Sequence, residues 1–203
     1  MKRFLPLALL LPATVLAQEP FETSYNYFDV NYLGTSWDLG PADVDGNGYS
    51  ARFSVALREH LFLLGDYAAW EFDGSSGGST GTTLGLGSNW VLKDKWSVWG
   101  AAGFRSIDLD IGLGNVEEET GFLSGGVRWQ VSDGYELRFS ADFADLSPAR
   151  TGELRAMIGG DIYLTETVAL SLEASQTEDE STSFLIGLRF YHDRDSSGYR
   201  QRR

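Results

Sequence analysis

Two stretches of the chain alternate with a strict period of two residues. From Tyr49 the odd positions are Tyr49, Ala51, Phe53, Val55 and Leu57, and Ser50, Arg52, Ser54, Ala56 and Arg58 lie between them. From Tyr135 the odd positions are Tyr135, Leu137, Phe139, Ala141 and Phe143, interleaved with Glu136, Arg138, Ser140, Asp142 and Ala144. Such alternation is the signature of a strand with two chemically different faces. A helix begun at Tyr135 would gather Arg138, Phe139 and Asp142 on one face, which is no apolar stripe. In both stretches one face is wholly uncharged and the other carries the ions.

Weaker copies of the pattern recur, and ten strands are predicted, near 24–33, 48–58, 61–72, 81–92, 96–107, 120–131, 135–144, 153–164, 168–177 and 182–191. Each is longer than the usual five or six residues and matches the ~9–11 residues of a tilted strand crossing a bilayer. The 24 glycines and the aromatic content of 13% suit strands and turns. The connections alternate. Glu59-His60, Lys93-Asp94-Lys95, Ser132-Asp133-Gly134 and Thr165-Glu166-Thr167 are tight, whereas 34–47, 73–80, 108–119 and 145–152 are read as longer loops and 178–181 as the last hairpin. Loops sorted by length between two ends mark an antiparallel up-and-down transmembrane β-barrel. The fold expected is therefore all-β, with ten strands, eight being the alternative count.

The ends of the chain stand apart from this pattern. Lys2 and Arg3 precede an apolar run, Phe4–Leu11, and Val15-Leu16-Ala17 resembles a cleavage site. Residues 1–17 are read as a signal peptide, 18–192 as the barrel, and 193–203 as a polar, basic tail. The absence of cysteine excludes disulfides and thiolate metal sites, and a formal charge of −13 argues against nucleic-acid binding.

Alternation alone does not say which face meets lipid. Trp90, Trp96, Trp129 and Tyr135 flank tight turns on the apolar parity, and Tyr32, Tyr49, Phe104, Phe143 and Phe184 share that parity at the opposite ends. Two aromatic bands a strand length apart are expected to form an interfacial girdle. The polar face carries Asp29, Asp66, Glu136, Asp142, Asp161 and Glu173 together with Arg52, Arg58, Arg105, Arg128, Arg138, Arg155 and Arg189. Every base is arginine, whose planar fork suits bidentate pairing in a confined space. This set is expected to line a salt-bridged lumen.

Catalytic chemistry finds little support. His60 lies in a tight turn, His192 follows the last strand, and no G-x-S-x-G occurs. An aspartic dyad such as Asp142 with Asp161 would be kept ionised by the interleaved arginines. Asp43-Val44-Asp45-Gly46-Asn47-Gly48 matches the first half of a calcium loop, but the twelfth position is Ser54 rather than Glu. Asp43, Asp45 and Asn47 are thus candidates for weak divalent-cation binding, with an ordinary Asp/Gly/Asn turn as the alternative; no other cofactor is expected. Roughly half of the 29 acids fall in the longer loops, with Arg150 their one base, so an anionic rim is expected at that end.

Ser24-Tyr25-Asn26-Tyr27, Asp43-Val44-Asp45-Gly46 and Phe62-Leu63-Leu64-Gly65-Asp66-Tyr67 carry a resemblance. Through them the chain resembles small outer-membrane β-barrel proteins of Gram-negative bacteria, of the OmpA-like and OmpX-like class, and most closely the xanthomonad-type barrels. One departure is that residues 193–203 follow the terminal aromatic pair Phe190-Tyr191. The resemblance implies outer-membrane localisation, with outer-membrane lipid, lipopolysaccharide and the barrel-assembly machinery as partners, and a monomer. The expected role is structural or surface-interactive, without enzymatic activity. The alternatives are a narrow diffusion pore and a soluble periplasmic ligand-binding barrel.

Overall fold

The computed structural model describes residues 24–38, 43–74, 77–93, 95–110, 115–145, 153–178 and 181–192. Ten strands follow one another in the chain: β1 (Tyr27–Asp38), β2 (Asp43–Arg58), β3 (Leu61–Phe72), β4 (Gly78–Lys93), β5 (Trp96–Asp110), β6 (Asn115–Ser132), β7 (Tyr135–Asp145), β8 (Glu153–Tyr163), β9 (Val168–Thr177) and β10 (Thr182–Tyr191). Each pairs antiparallel with its neighbour in sequence, and β1 pairs with β10 to close the barrel. Closure leaves the barrel wall without an edge, so strand backbones find partners around the whole circumference.

The strands at the loop end reach further than the alternation predicts. β1 continues to Asp38 and β2 begins at Asp43, with Ser36 opposite Asp45 and Gly34 opposite Asn47. β5 and β6 likewise run out to the pair Asp110–Asn115. Much of the expected 34–47 and 108–119 loops is therefore paired strand. The physical reason is solvation: beyond a membrane the outward face meets water and no longer needs to be apolar, as at Asp45 and Asn47, so the apolar alternation fades while backbone pairing persists. The segment Asp43–Gly48, expected as a turn or as the first half of a calcium loop, is instead the first part of β2. At the other end β1 starts at Tyr27 rather than at residue 24.

The outward wall is apolar. Phe28, Val30, Tyr32, Tyr49, Phe53, Val55, Leu57, Leu84, Leu86, Phe104, Leu123, Phe139, Phe143, Ile158, Phe184, Ile186 and Phe190 are all exposed, Phe104 at 79%. No charged residue stands on outward parity from Trp96 to Phe104, Tyr135 to Phe143, Leu154 to Ile162 or Phe184 to Phe190. At ~3.3 Å per residue and a tilt of ~40°, a segment such as Trp96–Phe104 spans roughly 20 Å between its terminal Cα atoms. With side chains added, that is close to the ~25 Å apolar band of outer-membrane barrels. Inside, the relation is reversed. The buried set is dominated by Asp29, Asn31, Ser54, Ser97, Arg128, Glu136, Asp161 and Arg189.

The interior is shaped by glycines set opposite aromatic rings. Phe62 faces Gly87 and Phe122 faces Gly103 across their ladders. A Cβ on Gly87 would lie 2.2 Å from the Phe62 ring, and one on Gly103 would lie 2.8 Å from Phe122. Large rings thus lie over bare backbone, which fills a narrow barrel without overpacking it. Outside, Phe53 covers Gly65 and Phe184 covers Gly34 in the same manner.

Candidate functional site

The lumen-facing ions form two groups. Nearer the tight turns, Arg189 forks onto Asp29, with Nε–Oδ1 and Nη2–Oδ2 both 2.7 Å, and its Nη1 reaches Asp161 Oδ2 at 2.7 Å. Arg138 Nη2 donates to the other oxygen of Asp161 at 3.1 Å and to Ser171 Oγ at 2.9 Å. Arg128 forks onto Glu136 at 2.7 and 3.1 Å. Two phenols link these pairs: Tyr191 donates to Asp161 at 2.9 Å, Tyr163 donates to Glu136 at 3.2 Å, and their hydroxyls are 3.3 Å apart. Arg189 and Asp161 are each only 1% exposed. A buried charge at that depth is tolerated only when its partners are in place.

Higher in the lumen, Arg52 of β2 crosses to Glu173 of β9 with a bidentate pair at 3.0 and 2.9 Å, and its Nε lies 3.2 Å from Asp66. Asp142 accepts from Arg105 at 3.2 Å and also from Arg155 and Ser124. Each group therefore holds three guanidinium groups against three carboxylates: Arg128, Arg138 and Arg189 with Asp29, Glu136 and Asp161 below, and Arg52, Arg105 and Arg155 with Asp66, Asp142 and Glu173 above. Asp142 and Asp161 stand in different groups, each bound by two arginines, so they form no catalytic dyad.

One member of the predicted lumen set lies elsewhere. Arg58 is exposed, because β2 changes register against β3 between Ala56 and Arg58. A bulge shifts the parity of the residues beyond it, so an inward assignment by counting fails there.

Several aromatic residues of the lumen escaped the sequence reading, among them Tyr163 and Tyr191 of the ionic network and Tyr25, Phe62 and Phe122. Tyr25 precedes β1 and enters the barrel, where its ring stacks on Phe62 at 4.8 Å and carries the Arg128 guanidinium 4.8 Å from its centroid. Phe62 and Phe122 were signalled by the glycines opposite them, a pairing visible only once register is known. Above this aromatic and ionic floor lies a cavity of about 360 Å³, lined by residues that include Arg52, Asp66, Trp70, Trp99, Arg105 and Arg155 and reaching Thr182 and Ser183 at the loop end.

Tyr32, Tyr49, Phe104, Phe143 and Phe184 are exposed on the outer wall near the loop end. Trp90 and Trp96 are exposed near the tight turns, Trp96 is stacked on Trp129 at 5.0 Å with an interplanar angle of 5°, and Tyr135 is half-buried. Asp45 and Asn47 are exposed on β2, and Asn47 Nδ2 donates to Asp73 Oδ1 at 3.1 Å. The Asp43 side chain, residues 1–23 and residues 193–203 lie outside the described residues. Among the described residues no cluster of three or more His, Cys, Asp or Glu is placed to hold a metal ion. His60 is exposed in its turn, 4.0 Å from Glu59.

An apolar wall outside and a charge-matched lumen inside define a class, the small transmembrane β-barrel. No protein-family model matches the chain, and no curated protein matches it. Among solved structures it is similar to a KdgM porin in complex with disordered oligogalacturonate, at 9% identity over 82% of this chain and 99% of that one, with a TM-score of 0.45. It is also similar to the N-terminal barrel domain of Pseudomonas aeruginosa OprF, at 12% identity over 81% and 98% with a TM-score of 0.46. The attachment invasion locus protein Ail of Yersinia pestis is a third, at 11% identity over 82% and 100% with a TM-score of 0.43.

Proposed function

We propose that the chain is a non-enzymatic outer-membrane barrel that acts through its acidic loop end, with a lumen closed to free diffusion. The observation that carries this reading is the inversion of the two faces. A soluble ligand-binding barrel keeps apolar side chains within and charges without. Here the exposed wall is a continuous apolar surface far larger than water-soluble monomers tolerate, and the ions lie inside.

Orientation follows from the loops. The tight turns and the first and last strand ends share one end, assigned to the periplasm. The opposite rim, where Asp45, Glu71, Asp73, Asp110, Glu117 and Glu119 are exposed, is assigned to the cell surface. A rim of that sign repels anions and draws cationic partners over about one Debye length, ~8–10 Å at ordinary salt. The balanced lumen favours closure over a diffusion pore, because an ion entering it meets groups whose charges are already paired.

Two assays test the reading. The protein should fractionate with the outer membrane and shift in gel mobility on boiling, and planar bilayers holding the native chain should show little or no steady conductance. Recovery in a soluble periplasmic fraction, or a large and stable open channel, would contradict it.

A further inference from the structure

The floor of the lumen has two unlike halves. One is the ionic belt running from Asp29 through Arg189 to Asp161, in which every group is borne on a strand of the wall. The other half is Tyr25, which belongs to no strand yet is 7% exposed. Its ring is enclosed by Phe62, Arg128 and Ser97, and the small residues Ser97 and Gly87, the latter beneath Phe62, make room for the stacked pair of rings.

We propose that Tyr25 is a resident plug, a removable stopper of the periplasmic end of the lumen. This deepens the closed-lumen reading above and rests on it. The salt bridges neutralise the wall of the lumen, and Tyr25 is the ring that stops its periplasmic end. The contacts support removal. Tyr25 is held by a ring stack, a guanidinium lying over its face and one long bond of 3.3 Å to Ser97 Oγ. Arg128 is already forked onto Glu136, and it touches the plug segment through its face over the ring and through Nη1, which donates to the Ser24 carbonyl 2.9 Å away. When the ring leaves, no buried charge loses its counter-ion, so the step avoids the large cost of an unpaired charge. The segment is tethered behind the ring, where the Ala56 amide donates to Asn26 Oδ1 at 2.6 Å and the His192 amide donates to the Asn26 carbonyl at 3.0 Å. A swing about Asn26 would carry Tyr25 out and join the 360 Å³ cavity to the periplasmic side.

The chain has no cysteine, so a thiol placed at Ser97 is a unique reporter of the seat beneath Tyr25. With Ser97→Cys alone, a charged, membrane-impermeant methanethiosulfonate should react slowly. With Tyr25→Ala added it should react roughly tenfold faster or more, as expected when a protecting contact is lost. Planar-bilayer recordings should show sustained conductance for Tyr25→Ala and native behaviour for Tyr25→Phe, which keeps the ring. Heat-modifiability checks that each variant is folded. Fast labelling of Ser97→Cys with Tyr25 present would overturn the plug, as would a folded Tyr25→Ala that neither conducts nor speeds labelling. If Tyr25→Ala fails to fold, the rate at Ser97→Cys alone still decides between a covered seat and an open one. A native protein that conducts steadily would instead overturn the closed-lumen reading itself.

Discussion

Arg189 illustrates how much of the interior rests on single residues. It is one of the deepest side chains and the shared partner of Asp29 and Asp161. Arg189→Met should leave Asp29 without a cation and Asp161 with Arg138 alone, at a cost of about 3–5 kcal/mol in barrel stability. Urea unfolding in lipid vesicles reads that loss, with Arg58→Ala as the exposed control expected to change stability by less than ~0.5 kcal/mol. The inward direction of residues such as Arg189 and Glu173 is legible from strand parity alone. Their partners are not. Arg52 stands opposite Asp29 in the β1–β2 ladder, yet it reaches across the lumen to Glu173. That choice depends on barrel diameter and stagger, which no local spacing encodes. The Asp43–Gly48 segment shows the opposite error, in which short-range chemistry suggested a turn and long-range pairing with β1 made a strand.

Among the elements, β2 and β7 could be read from the sequence because bilayer and lumen press opposite demands on alternate residues. The same strand β2 became unreadable before Tyr49, where the outward residues Asp45 and Asn47 are polar and the inward ones are Gly46 and Gly48, so no apolar face alternates with an ionic one. Bulges set a second limit, since the shift after Ala56 reverses parity without leaving a mark in composition. From the sequence the glycines were legible only as suited to strands and turns, although register gives them a defined task in β4 and β5. Gly103 is the sharper case: a Cβ there would lie 2.1 Å from the Leu84 carbonyl oxygen, which is backbone and cannot turn aside. On the outward face of the same strand, a Cβ on Gly100 would meet only Ser124 O, at 3.8 Å. Gly103→Ala should therefore cost about 1–3 kcal/mol, as overpacking does, while Gly100→Ala is tolerated. Parallel unfolding titrations of the two variants check the contrast.

At the scale of the whole molecule, the two faces of the barrel are inverted relative to a water-soluble one. Backbone groups are satisfied by closure, the apolar surface is turned outward, and the ions are matched within the lumen. An outward charge should be punished accordingly: Phe139→Arg, near the middle of β7, should lose ~2–4 kcal/mol. The ten strands follow from counting alternating segments, and closure follows from their length, since an open sheet in lipid would leave an edge unsatisfied. The most direct measurement places nitroxide labels singly at residues 136 to 143 of the folded protein in bilayers and compares collision rates with oxygen and with a water-soluble nickel chelate. Labels at 137, 139, 141 and 143 should collide with oxygen in preference to nickel, and labels at 136, 138, 140 and 142 should be shielded from oxygen. Nickel-dominated collisions at 137, 139 and 141 would contradict the account, because the apolar wall would then face water.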